Sequence, residues 1–207
     1  ITNLDAGVVA GALGDRVWTD LNENGMQDEG EPGVAGITVK LINAKGKTMD
    51  TQVTDASGFY AFRDVAPATY SVQFVVGALK LTTAQQGEDR ATDSNADPAT
   101  GIATVTVGSG TQGDQTIDAG ILPAKIGDYV WLDSNRNGIQ DEGETPLANV
   151  SVTLLNEDGG FVATTTTDAQ GKYQFAVPAG KYSIQVVSLD SSFTPAKQGE
   201  DRALDSD

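Results

Sequence analysis

Cysteine and histidine are both absent from the 207-residue chain. Without cysteine there is no disulfide framework to read. Without histidine, His-based triads, His general bases and most zinc sites are removed together. Basic residues are also scarce, 13 Lys plus Arg against 29 Asp plus Glu. A nucleic-acid partner requires a basic footprint for its phosphates, so this balance argues against one. No apolar run approaches the length of a membrane helix, and no charged-then-apolar leader opens the chain, so no membrane insertion is expected of this segment. The start, Ile1-Thr2-Asn3, reads as the middle of a longer protein. Acid is abundant instead, and bound cations would offset part of its self-repulsion.

The acid is patterned. Asp20-Leu21-Asn22-Glu23-Asn24-Gly25-Met26-Gln27-Asp28-Glu29-Gly30-Glu31 fits D-x-[DN]-x-[DN]-G-x5-E at every specified position. Calcium is a hard cation that takes six to eight oxygens, so acids and amides at loop positions 1, 3, 5, 9 and 12 can wrap it. Those positions are Asp20, Asn22, Asn24, Asp28 and Glu31, with the carbonyl of Met26 at position 7 and Gly25 at the sharp turn. The pattern recurs with Asp133, Asn135, Asn137, Gly138, the carbonyl of Ile139, Asp141 and Glu144. A polar turn would use the same residue types. Two in-register copies favour two Ca2+ sites.

The recurrence extends along the chain. Gly14 to Glu31 and Gly127 to Glu144 agree at 13 of 18 positions. The same offset pairs Ile37/Val39/Leu41 with Val150/Val152/Leu154, and Thr54-Asp55-Ala56-Ser57-Gly58 with Thr167-Asp168-Ala169-Gln170-Gly171. One residue less in the offset aligns Gln86 to Ser94 with Gln198 to Ser206. Leu4-Asp5-Ala6-Gly7-Val8 matches Ile117-Asp118-Ala119-Gly120-Ile121, so residues 1–9 read as the final strand of a preceding repeat. The first full repeat is then 10–122, and 123–207 is a second repeat ending before counterparts of Ile102 to Val107 and Gln115 to Ile121.

Apolar residues alternate with polar ones in Ile37 to Leu41, Tyr60/Phe62, Val72/Phe74, Val105/Val107, Val150 to Leu154, Tyr173/Phe175 and Ile184/Val186, the mark of half-buried strands. Gly, Asp, Asn and Pro punctuate at short intervals, as in β-sandwiches. No helix is expected, including beside the two loops. The junction Leu122-Pro123-Ala124-Lys125-Ile126 is too short for a flexible linker, and its proline stiffens it, so abutting repeats in a fairly rigid rod are expected.

Gly14-Asp15-x-Val17-Trp18-x-Asp20-x-Asn22-x-Asn24-Gly25-x-Gln27-Asp28-Glu29-Gly30-Glu31, followed by Gly36-Ile37-Thr38-Val39-Lys40-Leu41, resembles the SdrD-type B repeats of bacterial cell-surface proteins. Thr54-Asp55 to Tyr60 and Pro67-Ala68-Thr69-Tyr70 resemble the wider Cna-B group. The resemblance implies all-β, tandem Cna-B/prealbumin-like β-sandwich domains with EF-hand-like calcium loops, in an extracellular adhesin stalk, cell-surface or secreted, with neighbouring repeats as partners. Many Cna-B relatives carry a Lys–Asn or Lys–Asp isopeptide link beside a buried acid. Here the first strand holds Arg16 and Tyr129, and the strand for the acid reads Ser71-Val72-Gln73-Phe74 and Ser183-Ile184-Gln185-Val186, so no such link is expected.

A second acidic stretch, Glu88-Asp89-Arg90-Ala91-Thr92-Asp93-Ser94-Asn95, recurs as Glu200 to Asp207. Asp89 with Asp93, and Asp201 with Asp205, could converge on further cations, and Asp15 and Asp128 could contribute. A solvated loop with a local acid–arginine pair is the plainer alternative. Asp55 and Asp168 read as turn-formers, and Trp18 and Trp131 as core or loop-buttressing residues.

Three functions remain to be weighed. A calcium-stiffened structural module leads. A recognition module for a host or matrix protein or glycan would instead need an exposed apolar patch present in one repeat and missing from the other. Paired carboxylates can hydrolyse glycosides, yet these acids follow the calcium pattern and no nucleophile–base pair appears, so no enzyme is expected. Strand exchange between chains, with residues 2–8 adding to an open edge of the second repeat, is a further expectation.

Overall fold

Period-two alternation governs both halves of the computed structural model, which describes residues 11–109, 113–187 and 193–197. The chain divides into two units, 1–123 and 124–207. All regular structure among the described residues is β.

Unit 1 runs β1 (Gly11–Thr19), β2 (Thr38–Asn43), β3 (Thr48–Val53), β4 (Phe59–Val65), β5 (Ala68–Val75), β6 (Ile102–Val107), β7 (Gly113–Asp114) and β8 (Ala119–Ile121). One sheet has the order β3-β2-β5-β6; the other has β4-β1-β7, with β8 also on β1. The β1–β4 pair is antiparallel, whereas β7 and β8 join β1 in parallel. Val39 and Leu41, then Val72 and Phe74, point inward from one sheet, and Leu13, Val17, Tyr60 and Phe62 from the other. They form one buried cluster with Ala103, Val105, Val107, Ile117 and Ile121, and this shared core makes unit 1 a β-sandwich.

Tyr60 binds this core to the segment that leads into β8. Its ring meets Phe62 and Phe74 edge-on, and its hydroxyl donates to the Ile117 carbonyl at 2.7 Å. Tyr60→Phe keeps the packing and leaves that buried carbonyl unpaired, so unit 1 should lose about 1–2 kcal/mol in urea unfolding. An unchanged midpoint would show that the bond contributes nothing net.

Unit 2 runs β9 (Ala124–Tyr129), β10 (Trp131–Leu132), β11 (Thr145–Pro146), β12 (Ser151–Asn156), β13 (Phe161–Thr166), β14 (Lys172–Val177) and β15 (Tyr182–Val187). The orders are β13-β12-β15, β14-β9 and β10-β11. Val152, Leu154, Phe175 and Val177 form its core, with Ile126, Tyr173, Tyr182 and Ile184 packed around them.

Two expectations need adjustment. The junction is shorter than its sequence implies, because Ala124, Lys125 and Ile126 already belong to β9; their alternation with Val177, Ala176 and Phe175 of β14 recruits them into a strand. The strand expected over Gln115 to Ile121 is regular only at Ala119–Ile121. Its first half instead carries side-chain contacts: Asp114 accepts from Thr116, and Asn95 accepts the Asp118 N–H. Residues 1–9 lie outside the described residues, as do Asp201 and Asp205.

Candidate metal centre

The 20–31 loop leaves the end of β1 and returns beside it. The Thr19 N–H donates to the Pro32 carbonyl and the Asp20 N–H to the Ile121 carbonyl, so the loop base is fixed between the chain's return and β8. Glu23 and Gly25 both take positive φ, 60° and 79°, and wind the loop tightly. Glycine suits this left-handed turn.

Inside the turn, backbone donors face the acids. Asp20 is fully buried; its Oδ1 accepts from Asn24 N–H at 3.1 Å and its Oδ2 from Gly25 N–H at 2.7 Å. The Thr82 hydroxyl donates to the same Oδ2 at 2.6 Å. Glu31 closes the ring: Leu21 N–H donates to its Oε1 and Asp28 N–H to its Oε2. The amides of Asn22 and Asn24 both donate to Asp28 Oδ2, at 2.8 and 2.7 Å. The five side chains of loop positions 1, 3, 5, 9 and 12 thus belong to one network, with the Met26 N–H donating to Asn24 Oδ1.

Unit 2 repeats it bond for bond. Gly138 N–H donates to Asp133 Oδ2 at 2.7 Å, Asn135 and Asn137 amides donate to Asp141 Oδ2, and Glu144 accepts from Ser134 and Asp141 N–H. Ile139 N–H donates to Asn137 Oδ1, and Arg136 takes the place and φ of Glu23, at 63°. Burial acts to raise the Asp133 carboxyl, but the N–H groups of Gly138, Arg136 and Asn137 outweigh it and hold the group below the usual carboxylate range. Thr194 also bonds to Asp133 and so stands where Thr82 stands in unit 1.

Among the described residues, no three acidic side chains are gathered closely enough to form a ready metal cage. The reason is visible in unit 1. Asp20 and Glu31 direct their oxygens to backbone donors, and two amide groups occupy Asp28. The donor set still fits a hard cation, with three carboxylates, two amide oxygens and a carbonyl at the pattern's spacing. A cation would replace the amide N–H groups as the positive partner of Asp28, and an amide has an oxygen to offer as readily as its nitrogen.

The second acidic stretch is a brace for this loop. Gln27 N–H donates to the Thr92 carbonyl and Ser94 N–H to the Gly25 carbonyl, a short antiparallel bridge centred on Met26 and Asp93. Asp93 is buried beneath it, bonded to the Asn95 amide, and burial raises its pKa. Asp89 is exposed and accepts from Ala91 N–H. The expected acid–arginine pair forms elsewhere than within the stretch: Arg90 reaches Asp114, at 3.9 Å.

Sequence reasoning missed Asp118. It has no exposed surface, and its Oδ1 accepts from Arg16 N–H. Burial and the neighbouring Asp15 drive its carboxyl up to about 9, and burial also raises Asp15. The available signal was an aspartate set between apolar residues in Ile117-Asp118-Ala119, recurring as Leu4-Asp5-Ala6. Asp128 is the unit 2 counterpart of Asp15, exposed on β9 opposite Tyr173.

The model of the SdrD B-like domain matches residues 11–121 and again 124–207. The chain belongs to the SdrD B-like domain family. Serine-aspartate repeat-containing protein F of Staphylococcus epidermidis is 39% identical over 201 residues, 94% of this chain and 12% of that protein. Serine-aspartate repeat-containing protein D of Staphylococcus aureus strain MW2 is 40% identical over 177 residues, 83% of this chain and 13% of that protein. The chain therefore spans about an eighth of the length of these relatives. Among solved structures, the Bacillus anthracis TIE protein aligns at 18% identity and a TM-score of 0.46, over 86% of this chain and 28% of that one. SdrD B-like domains are modules of bacterial surface proteins, and the chain is an extracellular one. The family points to a structural module and away from an enzyme.

Proposed function

We propose that each SdrD B-like unit is a calcium-dependent spacer in the stalk of a surface adhesin, and that calcium rigidifies the tandem array. The observation that carries this is the repeated network: the same five side chains of each loop are tied together in both units, around the same glycine turn. A loop serving as a turn alone needs an Asx turn and a glycine. It does not need two further acids and a second amide held in register twice.

Binding to the folded state alone would stabilise it by about 2.7 kcal/mol at a hundredfold excess over the dissociation constant. Calorimetric titration of metal-stripped protein with Ca2+, and with Mg2+ as control, should show at least one calcium-selective site per unit. Melting temperature should rise and hydrodynamic radius should fall. Asp20→Ala with Asp133→Ala should abolish the heat. Absence of both heat and thermal shift in the unsubstituted chain would refute the reading.

One observation favours recognition as a second reading. Val53 and Val75 lie on either side of Thr38 in register, 59% and 42% exposed, whereas the unit 2 row runs Thr166, Ser151, Val187, so the copies differ where Thr166 takes the place of Val53. A host ligand held by unit 1 and lost in Val53→Thr would move this reading forward.

A further inference from the structure

Each loop places its pattern glycine directly after an asparagine, and Asn24-Gly25 and Asn137-Gly138 are the two Asn-Gly pairs of the chain. In such a pair the glycine carries no side chain to screen its own backbone nitrogen. That nitrogen can attack the asparagine side-chain carbonyl. The new bond joins the glycine N to Asn Cγ, the Cγ–Nδ2 bond breaks, and the amide nitrogen leaves as ammonia with the displaced proton. Water then opens the five-membered imide, giving aspartate, or isoaspartate if the chain comes to run through the side-chain carboxyl.

The loop engages all three reacting groups elsewhere. Gly138 N–H is donated to Asp133 Oδ2 at 2.7 Å, Asn137 Oδ1 accepts from Ile139 N–H at 2.8 Å, and Asn137 Nδ2 donates to Asp141 Oδ2 at 2.8 Å. Attack requires Gly138 N–H to leave Asp133 and the Asn137 side chain to swing back over the glycine. Asn24 is held by the equivalent bonds, each 2.7 Å. Both pattern glycines are buried, and the two copies differ at the asparagine and at its anchoring acid. In unit 1, Asn24 is half-buried, the Gly25 carbonyl accepts from Ser94 N–H, and a Cβ on Gly25 would stand 2.6 Å from the Thr83 carbonyl and the Gln86 side chain. Its anchor Asp20 is fully buried. In unit 2, Asn137 is exposed and Asp133 half-exposed.

We propose that Asn137 is a site of spontaneous deamidation gated by the loop's own hydrogen bonds, with Asn24 the protected counterpart. Conversion to aspartate adds a carboxylate at loop position 5, where the pattern accepts either residue. Greater ligand charge strengthens calcium loops. Isoaspartate lengthens the backbone and breaks the register. This consequence rests on the calcium reading, whereas the site itself does not.

The test is peptide mapping by mass spectrometry of the full chain, aged for days at mildly alkaline pH. Asn137 should convert severalfold faster than Asn24, and both should convert more slowly than in urea. Asp133→Ala frees Gly138 N–H and should accelerate Asn137 severalfold with Asn24 unchanged. Asp133→Asn keeps an acceptor oxygen and should fall between the two, which separates release of one bond from loss of the fold. Equal rates at the two asparagines, or no acceleration in Asp133→Ala, would overturn the proposal. Added CaCl2 should slow Asn137 further in the folded chain. Calcium without effect, with the Asp133→Ala acceleration intact, would support the site and count against the calcium reading.

Discussion

Replacing Asp20 by alanine is expected to destabilise unit 1 by about 3–5 kcal/mol, even with no metal in solution. Asp20 is fully buried, and three donors point at it: Asn24 N–H, Gly25 N–H and the Thr82 hydroxyl. An alanine leaves these donors without an acceptor in a place water does not reach, and each such loss costs about 1–3 kcal/mol. Part of this returns as the loop relaxes outward. Asp133 accepts the matching bonds from Gly138 and Asn137 but is half-exposed, so water can replace it, and Asp133→Ala should cost far less. Urea unfolding of the two single variants checks this. Equal losses would mean that burial of the first loop does not control its energetics. On the proposed calcium reading, a loop already held in shape by buried bonds loses less in ordering itself, and unit 1 should then bind the ion more tightly than unit 2.

What could be read from the sequence follows the range of the interactions. The two loops were legible because their spacing is local: Asp20, Gly25, Asp28 and Glu31 sit within one turn of chain, and their hydrogen bonds run where the pattern puts the residue types. The strands with strict alternation were legible for the same reason. Asp55 and Asp168 accept from the N–H groups two and four residues on, so the Thr-Asp-x-x-Gly turns were legible too. Contacts between distant segments were not. Nothing local says that Thr82 caps Asp20, or that Thr92 and Ser94 lie along Gly25 and Gln27. The charge type of that second stretch is visible in sequence, and its backbone pairing with the loop is not. Arg90 illustrates the same limit. Its sequence neighbour is Asp89, yet the fold brings Asp114 to it from β7.

Asp118 gives the second large effect. Its carboxyl is enclosed beside Asp15, with Oδ1 accepting from Arg16 N–H and Oδ2 buried without a partner unless a proton is present to be donated. Burial, then the charge of Asp15, raises its pKa from 3.8 to about 9. Between these values the folded chain holds a proton that the unfolded chain has released. The stability this group confers is full below about pH 4 and falls steadily as pH rises toward 9. Asn at this position keeps the acceptor for Arg16 N–H, supplies a permanent N–H in place of the shared proton, and does not titrate. Asp118→Asn should therefore flatten the pH dependence of melting across this window and stabilise unit 1 at neutral pH by at most about 4 kcal/mol, since pH 7 lies about three units above the unfolded value of 3.8 and each unit is worth about 1.4 kcal/mol. Below pH 4 the variant and parent should melt together. Thermal unfolding of both proteins across the window decides it, and a slope unchanged by the substitution would assign the alkaline loss of stability to other groups. Asp118 immediately precedes β8, whose Ile121 carbonyl holds the Asp20 N–H, so this carboxyl sits at the start of the strand on which the 20–31 loop is seated.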